Sequence, residues 1–335
     1  MREPRHENGE QAAVKIRPYQ SGDARRISEL FTRHSPYLRD AAFWLWINRT
    51  LPTRPSIVVV AEDRDGIVGH YGVVPLEFEI EGRPVLGGLG LHAFVAPAAR
   101  QSVAIFEISH ACYQLAAEQG LAFIYGFPNQ NYRLIQEKLE KWQRVAQFRA
   151  WRKPVHQASP LPQGTRVRTF NPGSAEDLLD MNDLLDRLPR EGRVGLRSTL
   201  GWWDRRYLKH PQVGYQFHRL DFGQEEVAVT VTKIYHPRET TGAWGHLIDF
   251  AKSPGVSSRQ LLATLPHLFS SEVTELVHWP CTDSLRDALD TEGYSEDGFE
   301  SFLGVKVLRG CPDDVATAIR CRSNWNLTMG MSDAF

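Results

Sequence analysis

The residues best suited to chemistry lie in two stretches of the first half of the chain. Leu91-His-Ala-Phe-Val-Ala-Pro97 reads as an apolar strand ending in a proline-marked turn, and Gln101 opens a helical run through Gln119. His92 on that strand carries an imidazole, which titrates near neutrality. Phe94 and Val95 lead into Arg100, Gln101, Ser102, Val103 and Ala104. A helix start offers unpaired N–H groups and a partial positive charge of about +0.5, so this segment suits a phosphate. Arg100 adds a guanidinium fork for the same anion. The second stretch, Tyr125-Gly-Phe-Pro-Asn129 followed by Tyr132, supplies two phenols and an amide at the end of another strand. In the second half, Asp249 sits on a strand, and Asp333 lies near the last residue. A carboxylate from that half could hold a cationic amine at a cleft between halves. Trp202, Trp203, Tyr207, Trp244 and Trp279 are candidates to line it, although most aromatics at such spacing belong to a core.

The elements that must position these groups follow from pattern. Val14 to Pro18 alternates like a strand, and Ser21-Gly-Asp23 caps a helix through Phe31; a second helical run covers Leu38 to Ile47. Ser56–Ala61 and Ile67–Val74 flank Glu62-Asp-Arg-Asp-Gly66, an acid-plus-glycine hairpin turn. The second strand continues beyond Pro75 to Ile80, and a glycine-rich run from Val85 leads into Leu91. Ile105, Ile108, Cys112 and Leu115 recur at helical spacing before Gly120 ends the helix. Leu121 to Phe127 is a strand, a helix follows to Leu139, and Trp142 to Trp151 is a strand.

The second half repeats this order. Helices at Ala175–Leu188 and Trp202–Tyr207, a hairpin of Tyr215–Leu220 and Val227–Tyr235, the strand Gly245–Ala251, a helix from Ser257, the strand Glu275–Pro280 and a short helix answer the first-half elements in turn. Pro128 to Trp142 and Pro280 to Tyr294 span the same interval, which points to an internal duplication. The expected organisation is a polar tail at 1–12, a first domain at 13–153, a proline-rich linker at 154–165 and a second domain at 166–335.

A length of 335 residues accommodates two domains. An apolar fraction of 42% and a net charge of -1 point away from disorder and from general polyanion binding, so no nucleic-acid partner is expected. Cys112, Cys281, Cys311 and Cys321 lack metal-ligand spacing; reduced, mostly buried thiols and no metal are expected. No apolar run approaches the ~20 residues needed to span a bilayer. The N-terminus has no apolar signal core, and the cytoplasm is the expected location.

This element order resembles the GNAT acyltransferase superfamily. Val95-Ala-Pro97 before the helix start resembles the end of that family's fourth strand and its phosphate loop. Tyr125-Gly-Phe-Pro-Asn129, Lys138-Leu139 before Trp142, and Trp325-Asn-Leu-Thr328 are similar to elements of a bacterial subgroup with two GNAT-like halves. The resemblance implies an α/β fold of two tandem domains, each a twisted mixed sheet flanked by helices, with central strands that splay to admit a pantetheine arm. Here those strands are Leu91–Ala96 and Leu121–Phe127. It also implies acyl transfer from acetyl-CoA or a longer acyl-CoA to a primary amine of a small molecule or peptide, by direct attack in a ternary complex.

Residue roles carry over only in part. His92 resembles the family's base or water-positioning residue. The place of the family's acidic tyrosine is taken by Gln136 or Glu137, with Tyr132 or Tyr125 as substitutes, and Asn129 is a candidate donor to pantetheine or acceptor. The phosphate loop departs too, with Ala104 and Phe106 standing where small residues are expected. Three outcomes fit: coenzyme A bound through the remaining amides, an acyl-carrier protein whose phosphopantetheine brings one phosphodiester, or a dead site. Asp249 aligns with Phe94, and with Trp203 it is assigned to the acceptor. The second half lacks a glycine-rich loop and is expected to shape the acceptor site. Competing readings are a Fem-like transferase taking its donor from aminoacyl-tRNA and an inactive GNAT-like binding module. A gap plugged by Phe94 or Phe106 would favour the module, an open one the enzyme.

Overall fold

The computed structural model describes residues 14–34, 40–101, 105–155, 160–189, 191–223, 225–237, 242–269 and 271–332. The tail at 1–12, Ser102, Val103, Ala104 and Asp333 lie outside the described residues. The first half runs β1 (Lys15–Pro18), α1 (Asp23–His34), α2 (Ala41–Leu45), β2 (Ile57–Asp63), β3 (Gly66–Ile80), β4 (Arg83–Val95), α3 (Ile105–Glu118), β5 (Phe123–Gly126), α4 (Gln130–Lys138) and β6 (Gln143–Pro154). The second runs β7 (Arg166–Thr169), α5 (Ala175–Arg187), β8 (Val194–Leu196), α6 (Leu200–Trp203), β9 (Gln216–Asp221), β10 (Val227–Tyr235), β11 (Ala243–Lys252), α7 (Ser258–Thr264), β12 (Val273–His278), α8 (Asp283–Thr291), β13 (Ser295–Val307) and α9 (Asp313–Arg320). A π-helical turn continues α2 at Trp46–Thr50, and another continues α6 at Asp204–Leu208, so the repeat extends to an uncommon local feature.

All these strands join one mixed sheet in the order β1-β2-β3-β4-β5-β13-β6-β12-β11-β10-β9-β7, with β8 on β3. Two pairs are parallel, β4 with β5 and β11 with β12. Each spans a crossover helix, α3 or α7, as parallel pairing requires. The halves exchange their last strands: β13 lies between β5 and β6, while β6 pairs on its other edge with β12. One buried apolar cluster accordingly draws on both halves, bringing Phe78, Phe123 and Tyr125 together with Trp203, Phe217, Leu276 and Trp325. A second, under α1 and α3, is built from Ile27, Phe31, Val59, Val60, Ile108 and Cys112.

Local sequence accounts for the elements. Ile108, Cys112 and Ala116 form the buried stripe of α3, and Gly120 takes φ 83° at its end. Pro75 sits inside β3 because β2 pairs no further than Val73 and β8 begins at Phe78; on that side its missing N–H costs no ladder bond. At the end of α4, Lys141 takes φ 59°, in the left-handed region that favours glycine.

Candidate functional site

The site begins at an irregularity in β4. Gly72 faces Leu91 and His70 faces Phe94, so His92 and Ala93 together stand opposite Tyr71 as a β-bulge. His92 takes φ 55°, a left-handed conformation that costs a non-glycine residue of order 1 kcal/mol. The buried His70 supports it. Trp44 Nε1 donates to His70 Nε2 at 3.4 Å, which leaves Nδ1 to donate to the His92 carbonyl at 2.9 Å. Burial first, and then the neighbouring His92, push the His70 pKa down to about 3, so the ring is a neutral strut.

Past the bulge the parallel strands part. Gly87, Gly88 and Leu89 pair with Phe123, Ile124 and Tyr125, and no pairing between β4 and β5 continues beyond them among the described residues. A slot of about 200 Å³ opens there, lined by Tyr71, Gly90 to Ala93, Gly126 to Asn129, Tyr132 and Gln136. Neither Phe94 nor Phe106 lines it. Phe94 packs edge-on against Phe31, and Phe106 is exposed beside His110.

Of the other first-half candidates, His92 lines the slot while its ring packs against Phe31 and Phe43. Tyr132 also lines it. Asn129 caps α4, its side-chain oxygen accepting from Tyr132 N–H at 2.9 Å. Gln136 is a slot residue, whereas Glu137 pairs with Arg133. Val95 offers its carbonyl to Arg100 Nε at 3.3 Å; Arg100 and Gln101 are exposed ahead of α3. Tyr125 is placed differently: fully buried, it donates its hydroxyl to the Met331 carbonyl at 2.9 Å and is not part of the slot lining.

Behind Tyr132 lies a buried carboxylate that sequence reasoning missed. Glu140 is inaccessible to solvent. Its Oε1 accepts from Ser109 Oγ at 2.6 Å and from the Tyr132 hydroxyl at 3.1 Å, and its Oε2 accepts from the Tyr113 hydroxyl at 2.6 Å. Trp142 Nε1 donates to the Tyr113 oxygen at 3.0 Å, and the Tyr71 and Tyr113 hydroxyls are 3.3 Å apart. Burial, then Tyr71 and Glu140, push the Tyr132 phenol well above its usual range. The available signal was Glu140 itself, a glutamate within the stretch from Lys138-Leu139 to Trp142.

A larger cavity of about 850 Å³ adjoins the slot and shares Phe127, Pro128 and Asn129 with it. Trp244, Trp279, Tyr235 and Phe302 form aromatic walls, and Arg152, Lys233, Asp297 and Glu300 supply charge. Arg152 lies 3.8 Å over the Trp244 ring and pairs with Asp297 at 2.7 Å and Glu275 at 3.1 Å. Trp244 and Trp279 are thus the aromatics of the early set that reach a cavity.

Trp203 and Asp249 go to the core instead. Trp203 is fully buried against Tyr207 and Phe217. Asp249 is buried and accepts from the Tyr207 hydroxyl at 2.9 Å. Neither lines the 850 Å³ cavity. The second half has its own bulge, where Val231 faces Asp249 and Thr232 faces Leu247; matching the two bulges sets Asp249 on Ala93 rather than Phe94. Beside it the C-terminal segment runs buried from Trp325 to Ser332. Leu327 N–H donates to the Cys281 carbonyl at 3.0 Å, and Arg206 donates to the Gly330 and Ser332 carbonyls at 3.0 and 2.8 Å.

Cys112 and Cys281 are buried, Cys311 is half-buried and Cys321 is exposed, so only two of the four thiols meet the expectation of burial. Among the described residues no helix is long and apolar enough to cross a membrane. No group of three or more His, Cys, Asp or Glu among them is placed to hold a metal ion.

No protein-family model and no curated protein matches the sequence. Solved structures do match. A probable N-acyltransferase of Enterococcus faecalis, itself of unknown function, aligns over 88% of this chain and 73% of its own, with a TM-score of 0.66 at 9% identity. A GCN5-related N-acetyltransferase from Anabaena variabilis aligns over 89% and 74%, with a TM-score of 0.62 at 13% identity. The chain has the GNAT fold. Over 95% of its length it also aligns with 85% of a Saccharomyces cerevisiae N-myristoyltransferase solved with bound myristoyl-CoA, with a TM-score of 0.59 at 10% identity. The large mixed sheet and its flanking helices match those of these GNAT-fold structures.

Proposed function

We propose that the protein is an N-acyltransferase that moves an acyl group from an acyl-CoA to a primary amine by direct attack. The observation that carries this is the open slot between the parted ends of β4 and β5, beside a cavity large enough for a second substrate that shares three lining residues with it. The pantetheine arm would enter between Leu91–Val95 and Gly126–Asn129, pairing with backbone groups that β4 and β5 do not give each other. Arg100, Gln101 and the Ser102–Ala104 amides would take the pyrophosphate at the start of α3. Residues 13–153 form the donor unit in this reading and 166–335 shape the acceptor site. The acceptor occupies the 850 Å³ cavity rather than the neighbourhood of Asp249 and Trp203, which the chain's own C-terminal segment fills.

A deprotonated amine must attack the thioester, and the leaving thiolate must gain a proton. Tyr132 is the slot residue with a hydroxyl tied to a buried carboxylate, and His92 lines the opposite strand. Calorimetric titration with acetyl-, octanoyl- and myristoyl-CoA, and with an acylated carrier protein, is the first test. Binding of an acyl-CoA followed by thiol release on adding an amine is the expected result. Failure to bind any pantetheine thioester would overturn the proposal, and binding restricted to the carrier protein would replace CoA as the donor.

A further inference from the structure

The Glu140 cluster lies outside the roles that the GNAT resemblance assigns, and its geometry bears on how protons move. Tyr132 has one hydroxyl proton and directs it at Glu140 Oε1, 3.1 Å away. Tyr132 lines the slot, and its phenol oxygen keeps acceptor capacity beside the Tyr71 and Tyr113 hydroxyls that also reach it. Glu140 is held from its other sides by Ser109 and Tyr113, and Lys306 Nζ fixes its backbone by donating to the Glu140 carbonyl at 2.5 Å. Such a fully bonded carboxylate is costly to bury, and here it also ties α3 to α4.

We propose that Glu140 acts through Tyr132 as a proton-holding and positioning residue for acyl transfer, taking the amine's proton and returning it to the thiolate. The proposal rests on the acyltransferase reading. As the amine nitrogen bonds to the thioester carbonyl carbon, its N–H proton passes to Tyr132 Oη while the Tyr132 proton passes to Glu140 Oε1. As the C–S bond breaks, the Glu140 proton returns to Tyr132 Oη and the Tyr132 proton goes to the leaving sulfur. Both side chains end as they began, and the products are an amide and a free thiol. Burial around Tyr132 disfavours a phenolate, which suits a proton that passes through the hydroxyl without resting there.

The test compares wild type with Glu140→Gln, Tyr132→Phe and the double variant, using acetyl-CoA as donor and hydroxylamine as probe nucleophile. Each single variant should lose about 100-fold or more in kcat, with KM for acetyl-CoA unchanged within about twofold. Because the two residues form one chain, the double variant should lose no more than either single one. Additive losses, or a Glu140→Gln effect confined to KM, would overturn the relay. If Glu140→Gln fails to fold, as judged by thermal unfolding, Tyr132→Phe with unaltered kcat overturns it equally. Calorimetry with acetyl-CoA separates the two claims. Absent binding by wild type sinks the transferase reading itself, whereas binding and turnover that survive Glu140→Gln sink the relay alone.

Discussion

Replacing Gly90 with alanine adds one methyl group at the wall of the slot, and its surroundings fix the consequence. An ideal Cβ at Gly90 lies 2.6 Å from the Tyr71 hydroxyl, 3.1 Å from Ile124 Cγ2 and 3.5 Å from the Trp142 ring. Contacts to carbon relax near ~3.5 Å, so Tyr71 must retreat by about 1 Å. It has little room to do so, being buried edge-on against Tyr113 with its hydroxyl 3.3 Å from that of Tyr113. Gly90 is not among the residues at positive φ, which makes the penalty steric rather than conformational. Overpacking of this kind costs about 1–3 kcal/mol. Gly126→Ala, on the facing strand, is the internal control: its Cβ would meet the Gly90 carbonyl at 3.2 Å and the Trp142 ring at 3.7 Å, a misfit of a few tenths of an ångström. Guanidinium unfolding should rank wild type, Gly126→Ala and Gly90→Ala in falling stability, and both variants should bind acetyl-CoA more weakly. A Gly90→Ala protein as stable as wild type, or less destabilised than Gly126→Ala, would refute the placement of Tyr71 against the slot wall.

Arg206→Met removes charged donors from the Gly330 and Ser332 carbonyls. Stability should fall by about 3–5 kcal/mol, and hydrogen exchange should rise first in residues 325–332; unchanged protection there would refute the clamp. Burial pushes the Asp23 carboxyl up, but hydrogen bonds from Arg17 and the Gln20 N–H outweigh it and hold the pKa below the usual value. This stabilisation is present above about pH 4 and lost as pH falls through the lower folded-state pKa. Urea unfolding of wild type and Asp23→Asn should therefore converge as pH falls below about 4, and a constant gap down to acid unfolding would contradict the assignment. Burial pushes the His278 pKa down to about 3, and neither ring nitrogen has a hydrogen-bond partner among the described residues. The unfolded chain takes up this proton near pH 6.5, so stability is full above that value and declines as pH falls toward 3. His278→Leu should remove about 1.4 kcal/mol per pH unit from that decline between pH 6 and 4, and an unaltered slope would rule the residue out as its source.

Much of the fold was legible because hydrophobic period and turn chemistry are local. The hairpin around Arg64-Asp65, the helix ending at Gly120 and the repeated order of the second half all follow from short windows of sequence. Strand exchange was not legible, since nothing in the Trp142–Trp151 pattern says whether its neighbour is β5 or β12. The bulge at His92 was also hidden, because it depends on register against Tyr71 and not on composition. Among the site candidates, Tyr132, His92 and Asn129 lie together at the slot because they occupy the ends of adjacent elements. Asp249 and Trp203 do not, because the C-terminal segment fills the space a cleft would need. Glu140 was read past as part of a Lys-Leu-x-x-Trp run, yet three hydroxyl donors from α3 and α4 converge on it, an arrangement only tertiary packing reveals.

The two halves show how one repeat arrives at two outcomes. Both carry a bulge in the strand before the crossover helix, one with His92 as the extra residue and the other with Ile248. In both, the parallel pair holds for a few residues and then parts, at Leu89 and Tyr125 in one half and at His246 and Val277 in the other. Parted strands leave backbone N–H and C=O groups that must find partners if they are buried. In the second half the C-terminal segment packs beside this region: Leu327 N–H donates to the Cys281 carbonyl just past β12, and Gly330 lies so near the Tyr207 hydroxyl that a Cβ would come within 2.1 Å of it. Tyr125 and Arg206 anchor the same segment from either half. The first half keeps a slot past its parted strands, whereas the second half has the buried C-terminal segment packed beside them.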